Sequence, residues 1–290
     1  MSEETNCRDF HNVVSKMREF FLSKGFVEVH PQSKLSILAA CEDPSTMATY
    51  NYEEKLWPLP QTGQMWLEHY LLKNPNEKGF FCVSTSYRNE PDPVPGRHDK
   101  IFPMFEFEMH GGIDELRKME NELLNHLGFH HHYEDFPNKS GVYRPYPRHD
   151  YDWIAEDYGV DILENEHEEK LNREYGPVHF IENFPERTSP FWNMQLHESK
   201  THANKIDVIL HGMETIGSAE RSTNPEDMRN TFKTISDGGY AQMLYDNFGE
   251  ERVNRELDEF LSLDFFPRSG GGIGVTRMIR AMKLSNLIDQ

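Results

Sequence analysis

The chain is short of positive charge. Lysine and arginine number 30 against 49 aspartates and glutamates, a formal charge of −19 at pH 7. Affinity for nucleic acid comes largely from neutralising phosphates with those cations, and no lysine- or arginine-rich arm is visible, so the balance disfavours a nucleic-acid partner. Cysteine is scarce too. Cys7, Cys41 and Cys82 are odd in number and lack metal or redox spacing, which reads as reduced cytosolic thiols and not a disulfide framework. No apolar run approaches the roughly 18 residues of a membrane span. The N-terminal Met-Ser-Glu-Glu-Thr lacks the basic and apolar regions of a secretory signal. No internal repeat or low-complexity tract occurs. These absences leave a cytoplasmic globular protein.

What is present fits one large core. At 290 residues, 37% hydrophobic and 12% aromatic, the chain can fold around a single domain. Residues 8 to 24 repeat Phe10, Val13, Val14, Met17, Phe20 and Phe21 at helical spacing, with Gly25 placed to stop the helix. Phe26 to Val29 alternates as a strand and Pro31 ends it. Further helices are predicted over Met65 to Leu72, Leu116 to Leu127 and much of Pro225 to Phe260. Strands are predicted over 80–87, 102–109, Val178–Ile181 and Lys205–Leu210. The stretch 130 to 175 has the weakest periodicity and reads as an insertion with surface helices, not a second domain. Antiparallel strands wrapped by helices make an α+β protein.

Three constellations carry chemistry. The first runs from Arg88-Asn89-Glu90 through Arg97-His98 to Phe102. Arg88 and Glu90 lie two apart, so both can face one side of a sheet. A guanidinium fork suits phosphate, and an aromatic ring can stack on a base. The second is Gly270-Gly271-Gly272-Ile273-Gly274-Val275-Thr276-Arg277, where glycines permit close backbone approach. The third is Asp207 to Arg221, with two acids, Asp207 and Glu214, near the small residues Gly212, Gly217, Ser218 and Ala219. Carboxylates completed by phosphate and water suit magnesium.

The first two constellations resemble motifs 2 and 3 of the class II aminoacyl-tRNA synthetases, and the first helix and strand resemble motif 1. The third resembles the segment of aspartyl- and asparaginyl-tRNA synthetases that supplies metal carboxylates and a side-chain-reading arginine. The resemblance implies a class II catalytic core, an antiparallel sheet flanked by helices, as a single domain over 1–290 without an anticodon-binding domain, and a homodimer built on motif 1. It implies that Arg88 holds the α-phosphate and substrate carboxylate, and that Glu90 approaches the adenine amino group. It places Phe102 on adenine, Arg97, His98 and Arg277 on the phosphates, and Gly272 and Gly274 against the nucleotide. Asp207 and Glu214 take Mg2+. Ile101 and Thr276 stand where the family most often has glutamate, and the Gly-Gly-Gly-Ile-Gly run ending in hydroxyl-Arg resembles bacterial ammonia-dependent asparagine synthetases.

The amino-acid pocket is similar to that of asparaginyl-tRNA synthetases. Gln61, Thr62, Gly63, Gln64 and Glu68 match that pattern, Leu67 stands where aspartyl enzymes carry lysine, and Glu106 and Arg221 complete the implied set. A Glu68–Arg221 pair would suit a carboxamide; it would equally suit an α-ammonium and α-carboxylate, with aspartate bound reversed and its β-carboxylate facing ATP. Glu68 on an exposed helix face is the plain alternative. The implied reaction is attack of the carboxylate on ATP to give an acyl-adenylate, needing no general base because the acid is already ionised at pH 7. Three readings stay open: aspartate activated and passed to ammonia, giving asparagine, with tRNA disfavoured by charge; asparagine or a related amino acid activated and passed to a protein, carrier or tRNA, as in a paralogue similar to asparaginyl-tRNA synthetases; or an inactive paralogue that binds nucleotide as a regulatory module. The histidines 130–132 read as a polar loop.

Overall fold

A computed structural model describes residues 5–31, 36–37, 44–94, 96, 99–129, 146–188 and 190–289. Eight strands form one sheet in the order β1-β4-β5-β10-β9-β8-β7-β6: β1 (Val27–Glu28), β4 (Gly79–Tyr87), β5 (Ile101–His110), β6 (Arg148–Asp150), β7 (Val178–Pro185), β8 (His202–Leu210), β9 (Glu214–Arg221) and β10 (Arg268–Gly274). The central pairings are antiparallel, as expected; the outer pairs β1·β4 and β6·β7 are parallel. β10, near the end of the chain, lies between β5 and β9. That insertion brings the glycine run against the strand that follows Phe102.

Alternation along β5 divides the sheet's two faces. Phe105, Phe107 and Met109 join a core with α1 (Cys7–Ser23), α3 (Ile113–Leu127) and α9 (Val275–Leu284). Met104, Glu106 and Glu108 face the other way. There α2 (Gln64–Lys73) covers β4 with Leu67 and Leu71 on Phe80 and Cys82. A second core gathers Trp192 with the helices α6 (Pro225–Thr234), α7 (Gly239–Phe248) and α8 (Glu250–Leu261).

The segment of weak periodicity holds more structure than expected. Residues 130–145 lie outside the described residues, but α4 (Tyr151–Tyr158) and α5 (Asn165–Tyr175) bury Tyr151, Ile154 and Leu171 against Ile181, Phe184 and Ile209. They form a packed layer on the sheet, not surface decoration. Also unforeseen is the hairpin of β2 (Thr49–Tyr52) and β3 (Lys55–Pro58). Its turn residues Glu53 and Glu54 have φ of 49° and 61°. Turns of this kind are ordinarily written Asn-Gly or Asp-Gly, so a Glu-Glu turn carries no sequence signal.

One buried acid sits on the helix side of the sheet. Glu120 of α3 is fully buried, and neither of its oxygens accepts a hydrogen bond. The neighbouring Ser218 hydroxyl donates to the Ile206 carbonyl at 3.3 Å instead. Burial, with Asp207 and Glu182 adding to it, raises the Glu120 pKa to about 8. A carboxyl whose pKa is raised on folding binds its proton more tightly folded than unfolded. Its protonation therefore favours folding at low pH, and stability falls as pH climbs from the unfolded value towards 8. Glu120→Gln should remove that slope, leaving stability near pH 5 little changed and raising it at pH 9 by on the order of 4–5 kcal/mol. Urea denaturation at the two pH values reads this directly, and an equal gain at both would refute the assignment.

Candidate active site

A cavity of about 1120 Å³ opens over the face of Glu106, lined by Arg88, Glu90, Phe102, Glu214, Gly272, Gly274 and Arg277 among others. Residues separated by up to 189 positions in sequence thus meet, because β10 lies against both β5 and β9. Arg88 follows the end of β4, its backbone N–H bonded to the Lys100 carbonyl at 2.7 Å. Its guanidinium lies over the Phe102 ring, 5.6 Å from the centroid. Burial lowers the Arg88 pKa, offset in part by Glu214, while Arg277 pushes the same way as burial. Arg277, in the first turn of α9, donates from Nη1 to the Glu214 carbonyl at 2.7 Å. Two guanidinium groups close enough to repel one another, in a concave site, make a receptor for polyanions. Arg97 and His98 lie outside the described residues.

Asp207 and Glu214 come together over Gly217. A Cβ at Gly217 would stand 2.9 Å from Glu214 Oε1 and 3.6 Å from Asp207 Oδ1, so a side chain there would fill the space the two acids share. Asp207 Oδ2 accepts from Lys205 Nζ, while its buried Oδ1 has no hydrogen-bond partner. Burial raises the Asp207 pKa to about 7 despite Lys205, and Glu214 and Glu168 add to the rise. A costly arrangement of this kind is relieved by a cation. No group of three or more metal-binding side chains occurs among the described residues. Two carboxylates alone do not make a closed metal site, and a cation held by them would take its other oxygens from a ligand and water.

The expected amino-acid pocket is rearranged. Gln64 and Arg221 line the cavity, but Gln61 and Glu68 do not. Gln61 is buried and donates to Thr46 Oγ1 at 3.0 Å. Glu68, expected to face the substrate or solvent, is fully buried and accepts from Arg268 Nε at 3.0 Å and Nη2 at 2.7 Å. It also accepts from Gln64 at 2.9 Å and Asn193 at 2.7 Å. Arg221 stands 3.7 Å from it and donates to Glu108, with both contacts at 3.3 Å. Glu106 lines the cavity, yet its oxygens already accept from Thr62, Ser84 and the Gly63 N–H, the last at 2.9 Å. It bolts the loop before α2 onto the sheet, and burial still raises its pKa against those donors.

Arg268, Glu108 and Lys205 were not foreseen. Glu108 shares a strand face with Glu106, a signal that the i, i+2 spacing carries. Arg268 is fully buried at the start of the glycine strand, where nothing local marks it.

The comparisons with known proteins give the family and the fold. The family described as class II tRNA synthetases (D, K and N) matches residues 2–290. The chain belongs to that family. It is similar to the aspartate–tRNA(Asp) ligase of Thermoplasma volcanium, 24% identical over 90% of this chain and 61% of the relative. It is also similar to the aspartate–tRNA(Asp/Asn) ligase of Archaeoglobus fulgidus, 25% identical over 94% and 63%. In fold it resembles the asparaginyl-tRNA synthetase of Pyrococcus horikoshii complexed with asparaginyl-adenylate, with TM-score 0.73, 20% identity, and 94% of this chain against 64% of that one. These likenesses place it with the aspartyl/asparaginyl subgroup. The chain spans somewhat less than two thirds of the length of these relatives.

Gly270 tests the packing beneath the site. A Cβ there would fall 2.0 Å from Glu108 Oε2 and 2.2 Å from the Phe107 carbonyl. This glycine makes room for the protein's own acid, whereas Gly272 and Gly274 line the cavity. Gly270→Ala should lower stability by about 1–3 kcal/mol through overpacking, read by denaturant titration; a neutral result would mean Glu108 is not held where the structure places it.

Proposed function

We propose that the cavity binds ATP and an amino acid, aspartate by preference, and joins them as an acyl-adenylate. The observation that carries this is the convergence of Arg88, Glu90, Phe102, Glu214 and Arg277 on one cavity above the glycine run. The carboxylate oxygen attacks the α-phosphorus, a P–O bond forms, and pyrophosphate leaves with the electrons of the bond to the α-phosphate. No proton has to move. Catalysis is then positioning and charge stabilisation. Arg88 aligns the carboxylate with the α-phosphate, and Arg277 holds the departing phosphates with Arg97 and His98. Glu90 takes the adenine amino group, and Phe102 presents a stacking face once Arg88 turns to phosphate. Asp207 and Glu214 would hold Mg2+, which when bound spreads the charge of the phosphates.

The acceptor we favour is ammonia. Its lone pair attacks the acyl carbon, AMP departs with the C–O electrons, and the surplus proton goes to solvent, giving asparagine. A second reading rests on the relatives, whose names make them tRNA ligases: the acyl group would pass to tRNA, or to a protein or carrier. The volume of the cavity, about 1120 Å³, exceeds the roughly 300–1,000 Å³ of ordinary small-molecule sites, which supports an acceptor binding beside the adenylate. An inactive nucleotide-binding module is the remaining reading, and turnover excludes it.

Incubating the protein with ATP, Mg2+ and aspartate, with and without ammonium, and measuring AMP and asparagine by mass spectrometry separates these readings. Ammonium-dependent appearance of both products is expected. AMP release that instead requires tRNA would move the function to the second reading, and no turnover with any amino acid would sink activation. Arg88→Ala should cut aspartate-dependent pyrophosphate exchange by about 10–150-fold, since a charge-assisted contact contributes roughly 1.5–3 kcal/mol. Exchange within a factor of three would remove Arg88 from the chemistry.

We also read the chain as one catalytic domain that pairs through its first helix and strand. Leu22 is 55% exposed and Val27 39% exposed at the sheet edge formed by β1, surface suited to a second copy. Light scattering should give twice the monomer mass, and Val27→Arg should return it to one.

A further inference from the structure

A lysine stands at the acid pair of β8 and β9. Lys205 and Asp207 lie two apart on β8 and so share a face of the sheet. Gly217 pairs with Asp207 across the ladder, and over it the free oxygens of Glu214 and Asp207 come together. Lys205 Nζ donates to Asp207 Oδ2. The same ammonium lies 3.6 Å from the centroid of the Phe184 ring, a second favourable contact for a cation. Lys205, Phe184 and Glu214 line the cavity, and Asp207 does not. Asp207 is 7% exposed, and its Oδ1 accepts no hydrogen bond. The cavity therefore meets Lys205 where a bare acid pair would present Asp207.

The ammonium changes what a metal ion would find. With both acids ionised, Lys205 halves the negative charge of the pair, and a divalent cation approaching it meets a like charge. To bind Asp207 through both oxygens the ion must also take Oδ2 from the lysine. A lysine is a compact charge on a flexible stem, so it can leave one anion for another. A triphosphate supplies the other. Lys205 can then pass from carboxylate to phosphate while the metal takes the carboxylate, and no buried charge is stranded on the way. Without the nucleotide, the same entry costs Lys205 its carboxylate.

We propose that Lys205 is a tethered cation: it holds Asp207 in the free protein, keeps a bare divalent ion out of the acid pair, and yields its place when the ion arrives with phosphate. The inference rests on the reading above in which Asp207 and Glu214 take Mg2+. It adds an order to that reading, because Lys205 changes partner as nucleotide and metal enter together. Each then raises the affinity for the other by the same factor, and Lys205 enlarges that factor by weakening the metal's binding alone. Phe184 gives the ammonium a resting face on the cavity wall.

Mn2+ serves as the probe, its binding to the nucleotide-free protein followed by electron paramagnetic resonance. Lys205→Met should bind Mn2+ more tightly than the wild-type chain by about tenfold or more, and adding Asp207→Asn should remove the gain. Lys205→Arg, which keeps the charge, should stay within about threefold of wild type. A lysine that only braced the strand would give the opposite sign, since its loss would loosen the acids and weaken the ion. Should Lys205→Met fail to fold, Lys205→Gln takes its place with the same expectation. Mn2+ affinity equal in wild type and variant, or weaker in the variant, overturns the proposal. Calorimetry with the β,γ-imido analogue of ATP tests the reading beneath it: the analogue should bind more tightly with Mn2+ than in EDTA, and Asp207→Asn should shrink the difference. That difference without a gain in Lys205→Met leaves the metal reading standing while the proposal falls. No Mn2+ binding by either chain, and no effect of Mn2+ on the analogue, removes both.

Discussion

Charge taken out of water has to be neutralised where it lies, and the site depends on how this chain meets that demand. Four strands and helices each carry an ionised or ionisable group into a region from which solvent is excluded: Glu68 on α2, Glu108 on β5, Arg221 on β9 and Arg268 on β10. Removing either partner of such a pair strands the other and is far more costly than the pair is stabilising. The register β5-β10-β9 is therefore fixed twice, by backbone pairing and by the requirement that Arg221 meet Glu108 across the glycine strand. Glycine at 270 follows from the same demand, because Glu108 needs the volume that any side chain would take.

The opposite treatment is visible a few residues away. Arg88 and Arg277 line the cavity itself, with Glu90 and Glu214 beside them. Burial already lowers the pKa of Arg88, and Arg277 adds to the effect. Asp207 keeps one buried oxygen without a hydrogen-bond donor. Behind the cavity wall the charges are matched within the protein, whereas at Arg88 and Asp207 like charges, Arg277 and Glu214, add to the cost of burial. Binding energy is most useful to a reaction where the free protein is least content, and a triphosphate with its metal would satisfy both groups together.

This contrast explains what was legible in the sequence. Residues at the unsatisfied end are written as local motifs, since glycine, arginine and acid must recur at short spacing to approach one ligand: Arg88 with Glu90, Gly272 with Arg277, Asp207 with Glu214. The helices α1 and α3 were readable because each buries one face, and the strands β4, β5 and β8 because their buried runs are short and apolar or alternating. Residues at the satisfied end were not. Glu68 and Arg268 lie 200 positions apart, and nothing near either names the other. Glu68 was accordingly assigned to the ligand, when its four bonds all go to protein. The Glu53-Glu54 hairpin and the burial of the helices α4 and α5, which were expected on the surface, escaped for related reasons, one a backbone conformation that its residues do not advertise, the other a core shared between distant segments.

The distinction bears on how substrate choice can drift in a site of this kind. Contacts made directly to the ligand are few and chemically restricted, because phosphate and carboxylate admit little besides cations. The ion pairs behind them are free to change in pairs, since replacing both partners by neutral groups can cost little while replacing one is severe. A pocket whose end is a single arginine takes its electrostatic character from which neighbouring acids are already engaged. Here Arg268 engages Glu68 through two bonds and Arg221 meets Glu108, so the charges behind the cavity wall are matched among the protein's own residues before any ligand arrives.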